Sequence, residues 1–95
     1  MKYIKTFEQI SEYKPEIGDY VILDTSPGTG IPEIYGTNVG KITNLLTSDK
    51  HATLVWIEYD DNIEPIKYYH YSWIKYMSKD KEELESMLAA KKYNL

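Results

Sequence analysis

The sequence predicts a mainly β, α+β fold: a small antiparallel barrel or sheet with a short N-terminal helix and a C-terminal amphipathic helix. Four or five short segments rich in β-forming residues recur at intervals of about ten to fifteen residues, without the long helices that join parallel strands. The chain has 95 residues, which is the size of a single domain. We therefore expect one domain over residues 1–95, with its barrel core at about 17–77.

The N-terminal segment predicts a short amphipathic helix at about 6–13. Apolar residues recur there at helical spacing, and Thr6 followed by Gln9 has the spacing of a capping box, which satisfies backbone amides at the start of a helix. Pro15 ends the helix. The run Tyr20-Val21-Ile22-Leu23 is rich in β-forming residues and predicts the first strand.

Residues 25–38 predict a long loop, because proline and glycine recur there at a density that no strand or helix tolerates. Strands are predicted at about 39–46 and 53–59, joined by a polar turn. Pro65 cannot donate a hydrogen bond to a neighbouring strand, so the next strand, at about 66–71, belongs at an edge of the sheet.

The final helix is predicted at about 80–92, with Ser78 or Asp80 as its N-cap. Acidic residues near its start and lysines near its end suit the helix dipole. One face of this helix carries Leu84, Met87, Leu88 and Lys91.

Four short segments resemble the successive strands of SH3-like small β-barrels of the KOW and Tudor type. They are Gly18-Asp19-Tyr20-Val21, Val39-Gly40-Lys41-Ile42, Trp56-Ile57-Glu58-Tyr59-Asp60 and Trp73-Ile74. The resemblance implies an SH3-like module that binds RNA, DNA, peptides or other proteins, so it indicates the fold more closely than the function. KOW-type RNA binders carry basic loops, whereas the loop at 25–38 has no lysine and one glutamate.

Composition argues against several functional classes. The net charge is −4, and none of the 11 basic residues is an arginine, so the two-point guanidinium contacts typical of sequence-specific DNA binding are absent. The chain has no cysteine, which excludes disulfides and thiolate chemistry and suits a reducing cytoplasm. No stretch is apolar enough for a signal peptide or a membrane helix, so we expect a cytoplasmic protein without a membrane partner.

No motif predicts an enzyme, a metal site or a cofactor. The run from Gly36 to Ile42 differs from a phosphate-binding loop in its spacing and lacks the final hydroxyl residue, so it predicts a turn into a strand. His51 and His70 are far apart in the sequence and have no second ligand at metal-binding spacing. We therefore expect no catalytic residues, no metal and no cofactor.

Strand alternation predicts which side chains of the third strand point to solvent. Glutamate is rarely buried unless it is paired, so Glu58 marks the outward face of residues 53–59. Val55 and Ile57 then point inward and Trp56 points outward.

The same reasoning, with Lys67 outward, turns three residues of the next strand inward, namely Ile66, Tyr68 and His70. It leaves Tyr69 and Tyr71 outward, with Trp73 beyond them. The predicted binding surface therefore consists of Trp56, Tyr69, Tyr71 and Trp73. Two interpretations stay open: this surface is exposed, or the C-terminal helix covers it.

The sequence favours a non-catalytic binding module that docks on a larger host protein or nucleoprotein complex through this tyrosine- and tryptophan-rich surface. Small size, acidic charge and a lysine-, asparagine- and tyrosine-rich composition without arginine also suit a phage-type accessory or inhibitor protein. The alternative is a weak nucleic-acid-binding module of the SH3-like, KOW type, in which bases stack on the aromatic rings. The negative net charge argues against tight nucleic-acid binding, which depends largely on neutralised phosphates.

Overall fold

A computed structural model describes residues 4–6, 8–10, 14–47, 53–60 and 62–93. Within these ranges, six strands form one sheet in which every neighbouring pair is antiparallel, in the order β1-β6-β2-β3-β4-β5. The strands are β1 (Lys5–Thr6), β2 (Tyr20–Leu23), β3 (Gly40–Thr47), β4 (Thr53–Glu58), β5 (Ile66–His70) and β6 (Ile74–Ser78), followed by the C-terminal helix (Lys81–Tyr93). The predicted mainly β, α+β fold class is confirmed.

The predicted positions of β2 to β5 agree with the structure to within one residue at each end, and β5 lies at an edge of the sheet as expected. β1 was not predicted, and β6 was anticipated only by the Trp73-Ile74 segment of the SH3-like resemblance. β1 has only two residues, too few to show a period, and β6 follows β5 after a single 3-10 turn at Tyr71–Trp73. The long loop contains a second 3-10 turn at Glu33–Tyr35.

The main core lies on one face of the sheet and draws on most strands. Its buried members include Val21, Leu23, Ile42, Val55, Ile57, Ile74 and Met77. Ile22 is also buried, but it lies between two core residues in β2 and therefore points to the opposite face. The C-terminal helix packs there against β6 and β2, where it buries Leu84.

The N-terminal helix has the predicted capping interaction. The backbone N–H of Thr6 donates to the side-chain oxygen of Gln9 at 3.1 Å, and residues 8–10 are helical. The N–H of Lys14 donates to the carbonyl of Ile10 at 2.8 Å, and Lys14 adopts a left-handed φ of 61° before Pro15. Residues 7 and 11–13 of the predicted helix lie outside the described residues.

Asp80, one of the two predicted caps, begins the C-terminal helix. Its Oδ1 accepts the N–H of Glu82 at 3.0 Å, while the hydroxyl of Ser78 accepts the N–H of Asp80. Lys91 lies over the ring of Tyr76 in β6, with 4.9 Å between Nζ and the ring centroid. The predicted helix face, from Leu84 to Lys91, is therefore the face that meets the sheet.

Two tyrosines whose rings pack at a tilt, between the long loop and the end of β4, differ in how their hydroxyls are satisfied. The ring centroids of Tyr35 and Tyr59 are 5.1 Å apart. The hydroxyl of Tyr35 donates to the carbonyl of Glu64 at 2.9 Å, whereas the buried hydroxyl of Tyr59 has no hydrogen-bond partner among the described residues. Burial, and secondarily the neighbouring Tyr35, raises the pKa of Tyr59 well above its ordinary value.

We expect Tyr59→Phe to leave stability unchanged or to raise it slightly, because it removes a buried hydroxyl that makes no hydrogen bond. The matched variant Tyr35→Phe should cost about 0.5–1.5 kcal/mol, because it removes a hydrogen bond. Urea titrations of the two variants at neutral pH measure both effects. An equal loss of stability in both would show that the Tyr59 hydroxyl is partnered.

The same variant tests the pH dependence. Because the pKa of Tyr59 is raised in the folded state, its contribution to stability is fully present below about pH 10 and is lost as the pH rises above that value. In urea titrations across this range, the fall in stability above about pH 10 should be shallower in Tyr59→Phe than in the wild type.

Candidate binding surface

A β-bulge in β5 decides which side chains share a face with Trp56. Ile57 pairs with Ile66 and Val55 pairs with Tyr69, so two residues of β5, Lys67 and Tyr68, lie opposite Trp56 alone. Tyr68 adopts a left-handed φ of 59°. The extra residue reverses the alternation of the strand beyond this point.

Tyr68 lies on the outward face with Trp56, so its predicted inward orientation is wrong. The two rings meet edge to face, with centroids 5.4 Å apart and an interplanar angle of 75°. The ammonium of Lys67 lies 5.8 Å from the centroid of the Trp56 ring. His70 was also predicted to point inward, but it pairs with Leu54, which alternates onto the Trp56 face.

The other predicted site residues, Tyr69, Tyr71 and Trp73, do not form one strand face with Trp56. Tyr69 is 41% exposed, but its cross-strand partner Val55 points into the core, so Tyr69 lies on the face opposite Trp56. Tyr71 is partly buried and packs against the core, so its predicted outward orientation is wrong. Trp73 is 36% exposed at the end of a 3-10 turn, where its carbonyl accepts the N–H of Asp24. The bulge therefore separates Trp56 from Tyr69 and Tyr71, with which it was predicted to form one surface.

The register instead groups the outward side chains of β3, β4 and β5 into adjacent rows. Leu46, Leu54 and His70 form one row across the three strands. Asn44, Trp56 and Tyr68 form the next, with Lys67 beside Trp56. We call the set Leu46, Leu54, Trp56, Lys67, Tyr68 and His70 the outer aromatic face.

The outer aromatic face lies on the part of the sheet away from the C-terminal helix, whose main contacts are with β6 and β2. Leu46 is 49% exposed, which is high for a leucine within a strand. Trp56, Tyr68 and Leu54 are partly buried by their neighbours in the sheet. Of the two interpretations of the Trp56 surface, the geometry favours the exposed one.

His70 has a structural role at one margin of this face. Its Nδ1 accepts the backbone N–H of Ser72 at 3.1 Å and so caps the 3-10 turn, and its ring lies 4.7 Å from that of Tyr71. The described residues contain no group of three or more histidine, cysteine or acidic side chains arranged to hold a metal ion. His51 lies outside the described residues.

Sequence reasoning placed Trp56 correctly but missed Tyr68 as its neighbour. Alternation assumes a regular strand, and a tyrosine at positive φ has no sequence signature, since glycine or asparagine is the usual residue there. The polar residues at 60–62 of the sequence precede the bulge and give no indication of it.

No described helix is long and apolar enough to cross a membrane. Comparisons of the chain with protein-family models, with curated proteins and with solved structures find no match.

Proposed function

We propose that this chain is a non-catalytic binding module that docks on a larger protein or nucleoprotein complex through the outer aromatic face. The observation that carries the proposal is the edge-to-face pair of Trp56 and Tyr68, flanked by Lys67 and the exposed Leu46, on strands that the C-terminal helix leaves free. The proposed SH3-like nature of the module agrees with the adjacent, antiparallel order of β2, β3 and β4, which contain most of the residues of that resemblance.

The chemistry of the face suits a protein partner. Tryptophan and tyrosine offer large contact areas at a low entropic cost and are enriched among residues that dominate binding energy. Trp56 already packs against Tyr68 and Lys67 in the free protein. Its side chain therefore loses little conformational entropy when a partner binds. The ammonium of Lys67 would meet a carboxylate beside an apolar side chain of the partner.

Nucleic-acid binding is the second candidate, because Lys67 beside Trp56 combines a stacking ring with a cation. The outer aromatic face offers only this one lysine, and tight nucleic-acid binding requires several neutralised phosphates. Any such binding should therefore be no tighter than the non-specific range of roughly 10⁻⁴–10⁻⁶ M at physiological salt. Fluorescence anisotropy with single-stranded and duplex DNA and RNA tests this, and nanomolar binding would favour the second candidate.

We expect Trp56→Ala to cost at least about 1–2 kcal/mol of affinity for the protein partner, with Tyr68→Ala in the same range. The partner is first isolated from a host extract on immobilised wild-type protein, and its affinity for each purified variant is then measured by calorimetry. Ile17→Ala is the matched control, because Ile17 is 60% exposed but lies in the turn before β2.

Two further variants locate the surface. Tyr69→Ala and Trp73→Ala remove exposed aromatic rings outside the outer aromatic face, so they should weaken binding less than Trp56→Ala does. A greater loss of affinity in Tyr69→Ala than in Trp56→Ala would place the partner on the opposite face of β5. Acrylamide quenching of Trp56 in a Trp73→Phe background provides a partner-free check, because a blue-shifted, unquenched tryptophan would contradict an accessible face.

A further inference from the structure

A groove separates the second half of the C-terminal helix from β2, β6 and the long loop. Its volume is about 900 Å³, which is within the range of small-molecule sites. Its apolar lining residues include Ile22, Val39, Tyr76, Leu88 and Ala89. It lies apart from the outer aromatic face, on the part of the sheet that the helix covers.

Two lysines give one end of the groove a positive charge. Lys75 and Lys91 both line it, and their ammonium groups lie 5.7 Å and 4.9 Å from the centroid of the Tyr76 ring. In the part of the chain that the structure describes, neither forms an ion pair with a carboxylate. Hydrogen bonds from Ser26 lower the pKa of the Asp24 carboxyl, and Lys75 is close enough for its ammonium to help lower it, but Asp24 and Lys75 do not form an ion pair.

The remaining polar side chains of the groove are mostly engaged already. The amide of Asn38 donates to the carbonyl of Ile34, and the hydroxyl of Ser26 donates to Asp24. The carboxylate of Glu85 lines the groove at its other end, where it interacts with the ammonium of Lys81. The strongest polar interaction left for a ligand is therefore with the two lysines.

A smaller cavity of about 190 Å³ continues the groove, since Asn38, Val39 and Glu85 line both. Tyr59, whose hydroxyl is without a partner among the described residues, lines this second cavity. The combined space has a cationic end, an apolar middle and a polar far end.

We propose that this groove binds a small organic anion, with its carboxylate beside Lys75 and Lys91 and its apolar body against Ile22 and Leu88. The ammonium groups attract the carboxylate of the ligand at this end, since neither is held in an ion pair among the described residues, and burial of the apolar body supplies most of the binding energy. This site is independent of the outer aromatic face, so either proposal can fail without the other.

The test is an NMR titration of the ¹⁵N-labelled full chain with sodium decanoate. We expect saturable shifts centred on Thr25, Tyr76 and Leu88, which line the groove. Octanoate should bind at least about tenfold more weakly, because each buried methylene contributes about fourfold in affinity. Decanol, which has the same apolar body without the charge, should bind more weakly than decanoate.

Variants separate this site from non-specific binding. Lys75→Gln and Lys91→Gln should each weaken decanoate binding by up to about fivefold, while Lys67→Gln, the matched control beside Trp56, should leave it unchanged. Ala89→Trp, at an exposed helix position on the rim of the groove, should obstruct it and weaken decanoate binding, with circular dichroism to verify that the fold is intact. The proposal is overturned by shifts centred on Trp56, by decanol binding as tightly as decanoate, or by the absence of saturable binding.

Discussion

Ile57→Ala is expected to lower the free energy of unfolding by about 2–5 kcal/mol, because it removes buried methyl and methylene groups and leaves a cavity. Ile57 is 0% exposed and lies between two neighbouring strands, paired with Ile42 in β3 and with Ile66 in β5. All three side chains belong to the core.

Glu58→Ala is the control, because Glu58 is the next residue of β4 and is exposed. It accepts a hydrogen bond from the hydroxyl of Thr43 at 3.0 Å, and its removal should cost roughly half a kcal/mol. Urea titrations followed by circular dichroism measure both variants. Similar urea midpoints for the two variants would contradict the assignment of Ile57 to the core side of β4 and of Glu58 to the solvent side.

The sequence was sufficient to predict the facing of β4, because the alternation of side chains along a strand can be counted back from Glu58. Val55 and Ile57 are fully buried and Glu58 is exposed, as the charge pattern predicts. The two helix starts were equally predictable, because capping depends on side chains a few residues away. Gln9 and Asp80 each accept the backbone N–H that their positions in the sequence predict.

The candidate site was only partly predictable, because it depends on contacts between strands. Trp56 was placed correctly, but the bulge opposite it moved Tyr68 outward and turned Tyr71 toward the core. A bulge arises from the pairing of two strands, and nothing in Lys67-Tyr68-Tyr69 alone indicates it. The position of the C-terminal helix over β6 and β2 is likewise a tertiary property, since its apolar face would fit either part of the sheet.

Gly40→Ala is the second large effect that we expect, at about 2–3 kcal/mol of lost stability. Gly40 is buried at the start of β3, opposite Val21, and its backbone does not require glycine. Space is the constraint, because a Cβ there would lie 2.6 Å from Cζ of Tyr59 and closer still to Cγ2 of Ile57. Overpacking of a rigid core forces side chains from their rotamers or moves the backbone.

A double-mutant cycle with Ile57→Ala separates this steric cause from an effect on the unfolded chain. Truncation of Ile57 removes the nearest clashing atom, so Gly40→Ala should cost at least about 0.5 kcal/mol less in the Ile57→Ala background than in the wild type. An effect on the unfolded chain would be the same in both backgrounds, and glycine-to-alanine changes there favour folding. Strictly additive losses in urea titrations would therefore show that β3 does not pack against Ile57 as closely as the structure indicates.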